Sequence, residues 1–198
     1  MKVPTLRCGR RSSTPAGWLL HACVLALFAA CFAAPRSAHA DAADEYRVKA
    51  AFLYKFGSYI EWPDGSFLRS DSPLVIGVTG ADALADELAR IVAGRNVNGR
   101  PVSVRRVRAG ESIEGLHVLF IGRTDTRRLT EILAAAKGHP VLTVTESEEA
   151  LQLGSMINFV VVDDKVRFDV ALVPADPGSL RISARLLAVA RKVMSRPS

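Results

Sequence analysis

Cysteine, histidine and paired carboxylates are the side chains from which most protein chemistry is built, and their placement in this 198-residue chain is uneven. All three cysteines, Cys8, Cys23 and Cys31, fall within the first forty residues. So do two of the four histidines, which leaves His117 and His139 beyond that point. Neither has a second histidine three or four positions away, the spacing that puts two imidazoles on one helix face to grip zinc. A metal there would need carboxylates gathered from distant segments. No GxSxG, SxxK or HExxH pattern occurs, so serine hydrolase and zinc peptidase chemistry have no footing.

Several shorter patterns resemble catalytic ones. Trp62-Pro63-Asp64 matches the acid loop of cysteine-dependent phosphatases, but that reaction needs a thiolate in a phosphate cradle. The segment reads instead as a turn that ends a helix. Gly77-Val78-Thr79-Gly80 stands between a strand pattern and a helix pattern, where phosphate loops also stand, yet it lacks both glycine-rich fingerprints. Asp163-Asp164 and Glu148-Glu149 are adjacent carboxylates whose side chains diverge, which suits a turn and a helix start better than acid and base work. Arg105, Arg106 and Arg108 form a basic stretch with no aromatic residue between them, which reads as a solvated strand face.

The residues before Asp41 have the layout of an export signal. Lys2, Arg7, Arg10 and Arg11 give a basic start, residues 18–34 are apolar except for His21, and Ala38-His39-Ala40 offers the small-x-small cleavage pattern. The expectation is a cleavable signal over residues 1–40 and a periplasmic domain over 41–198. Phe28-Ala29-Ala30-Cys31 is a weak lipoprotein box that competes with it. Removal of this stretch leaves 21 basic residues against 20 acidic ones, so the formal charge falls from +6 to +1. The basic character belongs to the leader and is no argument for nucleic acid. The remainder would hold no cysteine, hence no disulfide, thiol nucleophile or thiolate ligand.

The elements that position the remaining residues can be read from periodicity. After a short polar lead-in, Tyr46 to Ile60 repeats apolar residues at Ala50, Leu53, Phe56 and Ile60, with a second row at Val48, Phe52 and Tyr59. Such a helix is covered on more than one side. Strands are expected at 74–79, 102–107, 117–121 and 141–144, and helices at 82–92 and from Asp125 as cap to Ala136. Thr145-x-x-Glu148 has capping-box spacing for a brief helix ending near Leu153. Residues 156–162 and 166–170 flank Asp163-Asp164-Lys165 as a hairpin. Leu180 to Val193 reads as a last helix capped by Ser183, with Arg181, Arg185, Arg191 and Lys192 mostly decorating it. The fold class is α/β: one sandwich with a mixed sheet flanked by helices and a late antiparallel hairpin.

Three segments together resemble the YfiR family of small exported bacterial proteins. They are Tyr46–Phe56 followed by Tyr59-Ile60-Glu61-Trp62-Pro63, then His117–Ile121 with Val141–Thr145, then Gly154–Phe159, Val166–Val170 and Leu180–Leu187. The likeness covers nearly all of Tyr46 to Val193, and the helix running into Trp-Pro is its most specific part. It implies a compact periplasmic α/β domain with no enzymatic activity and no cofactor. It also implies a protein that restrains a membrane-bound diguanylate cyclase by holding its periplasmic sensor domain, which limits cyclic di-GMP and biofilm formation. An outer-membrane lipoprotein as release partner, a homodimer and a role beside sensor kinases are further implications. Many members carry cysteines where this chain has Leu116, Met156, Ile157 and Asn158. Disulfide control is therefore closed to the processed protein.

Function by docking requires an apolar surface. The late hairpin and the segment after it supply one candidate: Ile157, Phe159, Phe168, Val173, Leu180 and Ile182, with Asp169 as a polar rim contact. Alternate strand residues must face the core, so about half of these are expected to be structural. Tyr54, Tyr59 and Trp62 form a second candidate, with core and helix-end packing as its competing role. The alternative function is a small-ligand-binding sensory module serving a sensor kinase or transporter, with an apolar pocket between the first helix and the sheet.

Overall fold

The computed structural model describes residues 38–172 and 180–195, with side chains from residue 42 onward. The export signal, the Phe28–Cys31 box and Val173 lie outside the described residues, apart from the backbone of residues 38–40. The elements in chain order are α1 (Ala38–Phe56), β1 (Ile60–Glu61), β2 (Leu74–Thr79), α2 (Asp82–Val92), β3 (Asn96–Val97), β4 (Arg100–Arg106), β5 (Val118–Ile121) and α3 (Thr126–Ala136). They continue with β6 (Leu142–Thr145), α4 (Ala150–Leu153), β7 (Ile157–Val162), β8 (Lys165–Leu172), β9 (Arg181–Ile182), α5 (Ala184–Val189) and β10 (Lys192–Ser195).

Eight strands form a mixed sheet in the order β10-β8-β7-β6-β5-β2-β4-β3, while β1 and β9 pair apart from it. The five strands from β7 to β4 are mutually parallel, and β8 returns antiparallel to β7. The mixed sheet and its late hairpin match the expected α/β class. The turn is two residues, Asp163 (φ 49°) and Asp164 (φ 55°), both left-handed as a tight hairpin matching the strand twist requires.

Alternation divides the core between the two faces. Ile76, Val78, Val118, Phe120, Leu142, Val144, Ile157 and Phe159 meet Leu53 and Phe56 of α1 and Leu84 and Leu88 of α2. Leu119 and Ile121 meet Leu129 and Leu133 of α3 on the other side. The chain is thus a three-layer α/β/α arrangement. Among the described residues no helix is long and apolar enough to cross a membrane.

Several boundaries differ from the periodic pattern, each for a physical reason. Helix α1 already includes Ala38, the first described residue, so the lead-in is helical, and its alanines favour that conformation. It ends at Phe56, where Gly57 opens a 3₁₀ turn so close to β2 that a Cβ would stand 2.7 Å from Leu74 Cδ2. The capping box at Thr145 does not form. Thr145 closes β6 and its hydroxyl donates to Asn158 Oδ1 at 2.7 Å, while α4 begins only at Ala150 behind a left-handed Glu149. The last helix stops at Val189. Ser183 caps it as expected, but Arg191 N donates to Phe168 O at 2.9 Å and the chain continues as β10, parallel to β8. Pairing with a sheet edge outweighs helical propensity there.

Candidate functional site

The sheet face under α1 is filled with rings. Phe52 lies 5.6 Å from Phe168 and 6.0 Å from Phe159 between centroids, and Phe56 lies 5.1 and 5.8 Å from the same two. Phe120 closes the group 6.2 Å from Phe159. Aromatic packing occupies the space between this helix and the sheet where an apolar ligand pocket is expected from the sequence.

This packing also relocates the docking candidates. Ile157, Phe159 and Phe168 are 0, 3 and 2% exposed and belong to the core, because their strand register turns them toward α1. Asp169 is 6% exposed and is no rim contact. Arg191 holds it through two bonds, Nε to Oδ1 at 2.8 Å and Nη2 to Oδ2. The carboxylate, first through hydrogen bonding and then through its charge, raises the pKa of Arg191 above its ordinary value. Leu180 and Ile182 are half-buried at the margin of the core.

The two candidate patches meet at β1 and β9. Ile60 pairs Ile182 and Glu61 pairs Arg181 antiparallel, and Ser183 N donates to Tyr59 O at 2.9 Å. Trp62 and Leu180 are the next residues at the same end of this ribbon. The half-buried Tyr59, Trp62, Leu180 and Ile182 are therefore neighbours along one short ribbon although more than a hundred residues separate them in the chain. Tyr54 is elsewhere: its hydroxyl donates to Asn96 O at 3.2 Å and its ring lies 5.7 Å from the Arg95 guanidinium. Trp62 is oriented by its indole, which donates to His117 O at 3.3 Å.

A further polar assembly gathers around Lys49. Lys49 is 1% exposed and pairs with Glu45 on its own helix and with buried Glu146 after β6. Glu146 also accepts from Arg123 N at 3.2 Å. The available signal was register: Lys49 lies on the stripe of Leu53, Phe56 and Ile60, with Glu45 four residues earlier. Nearby, Lys49, Glu146, Ser147, Asn158, Asp169 and Arg191 border an open cleft of about 840 Å³. Its buried charges already hold one another. Burial, with the Glu146 charge adding to it, raises the pKa of neighbouring Tyr46 above its usual value.

The remaining place to test is the crevice where open α/β sheets take ligands, between strands whose crossovers run to opposite faces. Here that point lies between β2 and β5, beside the Gly77–Gly80 segment. Gly122 N donates to Thr79 O at 2.9 Å, and a Cβ on Gly122 would stand 2.5 Å from Gly80 O. The two main-chain segments therefore meet across the crevice at Gly80 and Gly122. Among the described residues no group of three or more His, Cys, Asp or Glu side chains is placed to hold a metal ion.

The YfiR/HmsC-like family model matches residues 46–191, and the chain belongs to that family.

Proposed function

We propose that this protein is a periplasmic, non-enzymatic regulator that docks on the periplasmic domain of a membrane-bound diguanylate cyclase and restrains cyclic di-GMP synthesis. Membership of a family whose members regulate such cyclases is the observation that carries the reading. Occupancy supplies the control: a protein that prefers the inactive arrangement of its partner shifts the partner toward it by the difference in affinity. Cleavage near Ala40 would accompany export, and the delivered chain would be free of thiols. A homodimer and an outer-membrane lipoprotein that triggers release belong to the same reading.

The docking face is the β1–β9 ribbon with Tyr59, Trp62, Leu180 and Ile182. Aromatic side chains with a polar tip are the residues that most often dominate binding energy at such centres. The other candidates, Ile157, Phe159 and Phe168, support this face from inside. Leu180→Asp combined with Tyr59→Ala is expected to weaken capture of the cyclase periplasmic domain by at least about tenfold, since two anchors are lost at above 1 kcal/mol each. Circular dichroism establishes that the double variant keeps its fold, with some loss of melting temperature because both side chains are half-buried. Undiminished affinity in this folded double variant, measured by surface plasmon resonance, would move the interface elsewhere.

A further inference from the structure

Residues 62–73 carry no helix or strand, yet they are tied down around a single imidazole. His117 is 4% exposed. Its Nδ1 accepts from Val75 N at 3.1 Å, which leaves the proton on Nε2, and Nε2 donates to Ser66 O at 3.0 Å. Phe67 stacks on the ring at 4.1 Å and 14°, and the Arg100 guanidinium lies 3.9 Å from the Phe67 centroid. Arg100 Nη1 donates to the carbonyls of Arg69, Ser70 and Ser72 at 3.0, 2.7 and 3.1 Å. The edge of Trp62 faces the imidazole at 6.0 Å and 79°. One ring thus joins the strap to β2 and to the start of β5.

We propose that His117 is a proton-operated latch: neutral, it clamps residues 62–73 on the sheet, and protonation releases this strap and loosens the β1–β9 ribbon that the strap follows directly. The ring accepts and donates at once only when neutral. A proton on Nδ1 would face the Val75 N–H with a second donor and place a positive charge on the same stack as Arg100. Among the charged groups on the surrounding elements, β2, β5 and β6 contribute none, β4 contributes Arg100, Arg105 and Arg106, the loop between β4 and β5 contributes Arg108, Glu111 and Glu114, β1 contributes Glu61, and the strap contributes Asp64, Arg69 and Asp71. Arg105 donates to the carbonyls of Ser112 and Glu114. Arg69 and Asp71 are exposed and bonded to each other. His139, before β6, is exposed. No carboxylate is bonded to the ring.

Burial, the largest influence, lowers the His117 pKa below its ordinary value. The Ser66 carbonyl acts in the opposite sense, and the Arg100 charge lowers it again. The released ring regains an ordinary value of about 6.5. The open form then binds the proton more tightly, so the clamp is at full strength above that pH and weakens as pH falls below it. The open-state value sets the ceiling: the opening equilibrium rises by up to about tenfold between pH 7.5 and 5.5.

The latch matters for docking only if the proposed face is correct, but its test needs no partner, so the two can fail separately. Amide hydrogen exchange of the full chain, corrected for intrinsic pH dependence, is followed by mass spectrometry on peptides covering 62–75 and 118–121. The strap peptides of the wild type and of His139→Asn should open more at pH 5.5 than at pH 7.5, by up to about tenfold, with β5 unchanged. His117→Asn, which keeps an acceptor for Val75 N but does not titrate, should show a flat profile. A flat wild-type profile would overturn the latch, even if His117→Asn fails to fold. So would a rise that persists in His117→Asn.

Discussion

Lys49→Ala is expected to destabilise the protein by about 3–5 kcal/mol, a melting shift on the order of 10 °C. The Glu146 side chain is only 3% exposed and would lose its cation while remaining in the interior, with the Arg123 N–H as its remaining bond. The larger part of the loss is the uncompensated carboxylate, since a buried pair is worth little net over an apolar replacement. Lys49→Met combined with Glu146→Gln should therefore recover more than half of it. Urea denaturation of both variants measures this. A double variant no more stable than Lys49→Ala would contradict this account, because Met refills the space of the lysine stem and Gln removes the stranded charge.

Phe168→Ala should cost a similar amount, about 3–5 kcal/mol, by opening a cavity among Phe52, Phe56 and Phe159. This outcome separates two roles for the same residue. A docking residue lost from a surface changes affinity and leaves the melting temperature near its original value. Phe168 at 2% exposure should do the reverse, with affinity lost only in proportion to the unfolded fraction. A thermal melt within 2 °C of wild type, read by circular dichroism, would return Phe168 to the surface.

Periodicity carried most of the fold. Strand β2 and helices α2 and α3 lie where alternation and the 3.6-residue repeat place them, and Asp125 caps α3 by accepting from Arg128 N at 2.9 Å. Errors arose where a long-range partner decided the local conformation. Thr145 prefers a cross-strand bond to Asn158 over a helix cap, and Arg191 leaves the helix to grip Asp169. The burial of Ile157, Phe159 and Phe168 has the same origin. A sequence shows that Ile157, Phe159 and Phe168 share a strand face, but not which face α1 covers. That Tyr59 and Trp62 adjoin Leu180 and Ile182 follows from the β1–β9 pairing, two residues per strand, too short to leave a periodic trace. His117 was legible as the start of an apolar strand. Its two ring bonds and its Phe67 stack depend on a segment with no regular structure to announce it.

The central claim is restraint of a membrane cyclase by occupancy. Its most direct test is cellular cyclic di-GMP in a strain lacking this gene and in a strain lacking both the gene and the cyclase it contacts. The account predicts a rise with the single deletion and a return to the parental level with the double. An unchanged level in the single deletion, with the cyclase present and active, would contradict it.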